Sequence, residues 1–82
     1  MPVSGTKGLY GHALGASGAI EAAITLMALR HGLLPGTCNL VNLDERCQLH
    51  VLREPLAASP QAALSTSFGF GGMNAALAFR AV

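Results

Sequence analysis

The sequence predicts an α/β chain: one buried helix, one short strand and an antiparallel strand pair, together forming part of a larger layered structure. Three observations carry this prediction. The 82 residues are 51% hydrophobic and only 11% charged, against roughly 25% charged for an average soluble domain. The segment "AIEAAITLMALRH", Ala19 to His31, is apolar on nearly every side. Two strand-like segments flank the glycine-rich stretch "SFGFGGMN", Ser67 to Asn74.

The first element is a loop. Half of the ten glycines lie in "GTKGLYGHALGASG", Gly5 to Gly18, and glycine this dense opposes a regular helix or strand. The segment reads as a shaped loop leading into a helix, with Ser17 or Gly18 as N-cap and Glu21 in the first turn. The helix, Gly18 to His31, is rich in strong helix formers. A helix apolar all round is buried all round, so it needs neighbours. Arg30 and His31 suit its negative C-terminal end. Gly32 is its left-handed stop, and Pro35 prevents resumption.

Residues 35–45 read as turn and loop, Cys47 to Glu54 as a short strand, and Pro55 to Gln61 as a surface connection. Ala62 to Phe68 alternates, with Leu64, Thr66 and Phe68 on one face and Ser65 and Ser67 on the other. Asn74 to Arg80 is apolar enough for a strand buried on both faces. The short glycine-rich turn between the last two predicts an antiparallel pair. One helix and two or three strands cannot cover each other's apolar faces, which points to a piece of a larger α/β layer structure.

Composition excludes several classes of function. A formal charge of +1, with its cations scattered singly, gives no basic stripe for nucleic acid. A membrane span needs about 20 apolar residues in a row, and the best window, Ala13 to Leu34, is broken by Glu21, Arg30 and His31. Cys38 and Cys47 match no zinc or redox spacing. With no signal peptide visible, they read as reduced thiols of a cytoplasmic protein. The glycines form neither GxGxxG nor a GK[ST] ending.

Lys7, His12 and Glu21 are the chemistry-bearing residues of the first loop and helix. A carboxylate on an apolar helix needs a partner, and Lys7 is the sole lysine. Two readings stand side by side. In one, His12 is a loop histidine bonded to backbone and Lys7–Glu21 is a structural ion pair. In the other, His12 faces a ligand that the glycines allow to approach closely.

"GTKGLYGHALGASGAIEA", "LPGTCNL" and "SFGFGGMN", in that order, resemble the C-terminal portion of a β-ketoacyl-acyl carrier protein synthase, a condensing enzyme of the thiolase-like superfamily. The resemblance covers essentially the whole chain, and only the last part of the family's catalytic unit. It implies a C-terminal fragment of a thiolase-like, layered α-β-α-β-α fold, with residues 1–82 as one partial domain. It implies decarboxylative Claisen condensation of acyl and malonyl thioesters on acyl carrier protein, in fatty acid or polyketide biosynthesis, with no cofactor or metal and a homodimeric intact enzyme. His12 falls on the family's second catalytic histidine, Lys7 on its motif lysine and Glu21 on its glutamate. Gly69, Phe70, Gly71 and Gly72 match its gating loop. Phe70 would swing from the acyl pocket, and its N–H would complete the oxyanion hole. Phe68 reads as packing under the hairpin, and Asn74 as bracing the loop by hydrogen bonds.

Some residues depart from the family pattern. Met73 replaces a usual threonine, Tyr10 precedes "GH" where smaller residues are common, and His31 and His50 match nothing. The nucleophilic cysteine and first histidine belong to an upstream part, and neither Cys38 nor Cys47 replaces them. A thiolase would need a second cysteine in the final turn, which here reads "FGFGG". An inactive truncated product or a chain-length-factor-like homologue stays open, because the deciding residue lies outside this sequence. The 82-residue chain alone is expected to be inactive and poorly soluble.

Overall fold

The computed structural model describes residues 1–82. Strand β1 (Pro2–Val3) leads to a single helical turn, α1 (Lys7–Tyr10). A 3-10 turn, Leu14–Ala16, then runs straight into the long helix α2 (Ser17–His31). Five more strands and a hairpin tip follow: β2 (Leu33–Leu34), β3 (His50–Val51), β4 (Leu56–Ala57), β5 (Ala62–Phe68), a 3-10 turn at Phe70–Gly72, and β6 (Asn74–Arg80). The architecture is α/β, with one substantial helix and three two-stranded pairs.

The hairpin forms as the alternation predicts. β5 and β6 pair antiparallel from Ala62↔Arg80 to Phe68↔Asn74. Helix α2 packs on β5, over the face that carries Ala63, Ser65 and Ser67, which are half-buried. These small side chains let the helix come close: a Cβ on Gly18 would lie 3.9 Å from Ser67 Oγ. The opposite face, with Leu64, Thr66 and Phe68, is exposed. The predicted stop of α2 is also present. Gly32 adopts φ 64°, ψ 34°, and its N–H donates to Ala28 C=O at 3.0 Å.

The structure corrects four expectations about these elements. The glycine-rich loop contains the helical turn α1, because Gly8 packs against the main chain of Cys38, where a Cβ would approach the carbonyl oxygen to 2.5 Å. Helix α2 is capped at Ala16, with no side-chain cap bond, since the Ser17 hydroxyl is engaged by His12. Glu21 therefore sits in the second turn. The strand expected over Cys47 to Glu54 shrinks to β3, paired in parallel with β1, because Cys47 is held in a turn by its N–H bond to Asp44 C=O at 2.8 Å. The connection 55–61 contains β4, which pairs antiparallel with β2. As expected of elements that need neighbours outside this sequence, neither α2 nor β6 is buried on all sides. Within this chain α2 keeps Leu26 and Met27 half exposed, and β6 is exposed apart from Phe79.

The core is accordingly thin. Only Leu52 (8% exposed) and Ser17 (7%) are buried. Away from the hairpin, α2 borders an apolar groove of about 790 Å³, where Ile20, Ile24 and Met27 face Leu9, Leu33 and Pro35. Cys38 and Cys47 are free thiols. No helix is long and apolar enough to cross a membrane.

Open apolar faces this extensive are association surfaces. The 82-residue chain expressed alone is therefore expected to bind a hydrophobic dye and to unfold without a cooperative thermal transition. A sharp transition of the isolated monomer in calorimetry would contradict this.

Candidate active site

Three segments meet around the N-terminus of α2. The first is the α1 turn. It presents Lys7, whose Nζ donates to Glu21 Oε1 on α2. The Glu21 side chain is only 16% exposed, against 42% for Lys7, so the carboxylate is the member that depends on the bond. A second tie within α1 joins the Thr6 and Tyr10 hydroxyls at 2.9 Å.

The second segment carries His12. Gly11, at φ 89°, ends α1 and turns the chain into the histidine loop. Leu14 then takes the left-handed conformation, φ 52°, which costs a residue with a Cβ roughly 1–2 kcal/mol. Its side chain is exposed, so packing does not offset the strain. Its N–H does: it donates to His12 Nδ1 at 2.9 Å. Ser17 Oγ lies 3.1 Å from the same nitrogen. A main-chain N–H can only donate, so Nδ1 is the acceptor and the proton of the neutral ring is on Nε2. His12 is exposed, and its Nε2–H has no partner within the chain. That N–H is a fixed donor available to a carbonyl oxygen.

The third segment is the hairpin tip. Gly69 N–H donates to Met73 C=O at 2.6 Å and closes the neck of the loop. Gly71 and Gly72 adopt φ 77° and 79°, the left-handed region where glycine carries no steric penalty. The tip thereby holds Phe70 fully exposed. Phe68, expected under the hairpin, is 78% exposed instead, because it lies on the β5 face away from α2. Asn74 stands opposite Phe68 in the register. The observed brace of the loop is the Gly69–Met73 main-chain bond rather than the Asn74 side chain. The Ser67–Gly18 approach places the tip at the same end of the molecule as His12.

The structure thus joins Lys7 to Glu21 directly, and seats His12 on the start of the helix that carries Glu21. Two participants are not evident from the sequence: Leu14 and Ser17. Ser17 alone leaves a trace, as a serine five residues after a histidine at the start of a helix.

Known proteins carry the same segment. Residues 1–41 match the family model for the β-ketoacyl synthase C-terminal domain. The chain belongs to the β-ketoacyl synthase family. Over 98% of its length it is 49% identical to 3-oxoacyl-[acyl-carrier-protein] synthase 2 of Synechocystis. Over 89% it is 47% identical to the enzyme of that name in Mycobacterium tuberculosis. Over its full length it is 43% identical to the mitochondrial 3-oxoacyl-[acyl-carrier-protein] synthase of Arabidopsis thaliana. It spans about a fifth of these synthases, 20%, 18% and 18% of their respective lengths.

Removing one partner of a half-buried ion pair strands the other. In an intact synthase carrying this segment, Lys7→Met is expected to cost about 1–3 kcal/mol of stability. The double variant with Glu21→Gln should recover part of that loss. Additive losses in denaturant unfolding would show that the pair does not couple.

Proposed function

We propose that this chain is the C-terminal part of a 3-oxoacyl-[acyl-carrier-protein] synthase, catalysing decarboxylative condensation of acyl and malonyl thioesters in a cytoplasmic, homodimeric enzyme of thiolase-like fold. The observation that carries this reading is the fixed tautomer of His12, with Nδ1 occupied by the Leu14 N–H and the proton on Nε2. The relatives' names supply the reaction class.

In this reading an upstream cysteine holds the acyl chain as a thioester, and malonyl-carrier protein enters next. The bond between the malonyl α-carbon and its carboxylate breaks, CO2 leaves, and the electron pair passes into an enolate. His12 Nε2–H hydrogen-bonds the malonyl thioester oxygen where that negative charge develops, so the bond strengthens toward the transition state. The enolate carbon attacks the acyl-cysteine, a carbon–carbon bond forms, and the cysteine thiolate departs. Because the ring enters as a hydrogen-bond donor rather than a base, a second donor on Nδ1 is compatible with its role.

Lys7 and Glu21 orient the loop and do not transfer protons. Phe70 is the gate of the acyl pocket, and its main-chain N–H joins that of the nucleophilic cysteine in the oxyanion hole. Gly69, Gly71 and Gly72 give the ring its freedom to move, and closing the ring over the thioester excludes water. Phe68 and Asn74 frame the loop from the two strand ends.

In the intact synthase, His12→Ala is expected to abolish malonyl decarboxylation while cysteine acylation continues. Loss of acylation first, measured with radiolabelled acyl-carrier protein, would overturn the role given to His12. Gly71→Ala places a Cβ at φ 77° and is expected to slow acylation by about fivefold, the equivalent of about 1 kcal/mol of left-handed strain. Stopped-flow acylation measures this, and an unchanged rate would mean that the loop does not gate.

A further inference from the structure

The carbonyl of Gly8 is bonded by the wrong partner for a helix. Turn α1 is closed by Gly11 N–H donating to Lys7 C=O at 2.7 Å. The next helical bond would run from His12 N–H to Gly8 C=O. Instead Asn39 Nδ2 donates to Gly8 C=O at 3.0 Å. The side chain of a residue 31 positions away thus satisfies one of the open carbonyls at the end of α1.

Asn39 is itself held firmly. It is the third residue of a β-turn in which Leu40 N–H meets Thr37 C=O at 3.3 Å, and its φ is 69°. Glycine and asparagine are the residues that suit that position. The turn is anchored at Thr37, whose N–H donates to Leu52 C=O at 2.8 Å and whose Oγ1 accepts the Gly5 N–H at 3.2 Å. The 37–39 segment therefore grips the glycine loop on both sides of Lys7, and Gly8 fits there only because it lacks a Cβ.

We infer that Asn39 is a positioning residue: Gly11 turns the chain out of α1, and the Asn39 amide holds the Gly8 carbonyl left open there, which braces the loop that presents His12. This rests on the condensing role proposed above. Asn39 touches no reacting atom in that role and acts only through Gly8 C=O.

The test compares Asn39→Gly and Asn39→Asp with the wild type in the intact synthase. Glycine keeps the left-handed turn and removes only the amide. Aspartate keeps the shape and sets an acceptor against the Gly8 carbonyl. Hydrogen exchange over residues 8–14 is expected to quicken about tenfold in Asn39→Gly, the loss of roughly one hydrogen bond, with α2 unchanged. The kcat for malonyl-carrier protein decarboxylation should fall by about the same factor, with KM unaltered, and Asn39→Asp should be the worse of the two. Unchanged exchange in residues 8–14 overturns the inference whatever happens to activity. Faster exchange with full decarboxylation, in an enzyme that His12→Ala silences, overturns the positioning role. A His12→Ala enzyme that still decarboxylates overturns the condensing role of His12 instead, and the exchange data then decide whether Asn39 braces the loop.

Discussion

The Lys7–Glu21 ion pair is the constraint on which the rest of this end of the molecule depends. It joins a one-turn helix to a long one across a glycine-rich loop. A loop with five glycines loses more conformational freedom on ordering than most segments, and directional bonds must offset that loss. The ion pair fixes one end, and the bonds from Leu14 and Ser17 to His12 fix the other. Between them His12 has one tautomer and one seat, on the first turn of a rigid helix.

The second constraint is the even apolarity of α2. An amphipathic helix would have been satisfied by the β5–β6 hairpin alone. This helix is apolar toward the groove as well as toward the sheet, so a single layer leaves half of it open. The exposed Leu64–Thr66–Phe68 face of the hairpin has the same character on the other side of the sheet. Helix and sheet each present one covered and one uncovered face, the arrangement expected of inner layers in a multilayer fold. The relatives, about five times longer, have chain enough to supply the missing cover.

Much of this was legible in the sequence where the determinants are local. The hairpin follows from strict alternation around a glycine turn, and its strands end where the pattern ends. The stop of α2 follows from Gly32. The Lys7–Glu21 pair follows from one carboxylate on an apolar helix and one lysine in the chain. The two-residue pairs β1–β3 and β2–β4 were not legible, because ladders that short are set by where distant segments meet and not by propensity. The cap of α2 was misplaced because Ser17 serves a histidine instead of the helix end. Leu14 was invisible for a related reason: its contribution lies in left-handed backbone that a leucine does not advertise, while the amide of Asn39 meets a carbonyl 31 positions away. The placement of Phe68 failed because aromatic size suggested burial, whereas the face toward α2 accepts only small residues.

That last feature has a mechanical side. Ala63, Ser65 and Ser67 act as shims between a stiff rod and a stiff plate. The rod carries the histidine's support at one tip, and the plate carries the phenylalanine loop at the matching edge. A larger side chain at Ser65, in the middle of the strand and touching neither loop, would tilt the rod on the plate. The gap between His12 and Phe70 would then change through leverage. The separation of the two loops is thus set by the volume of side chains that belong to neither.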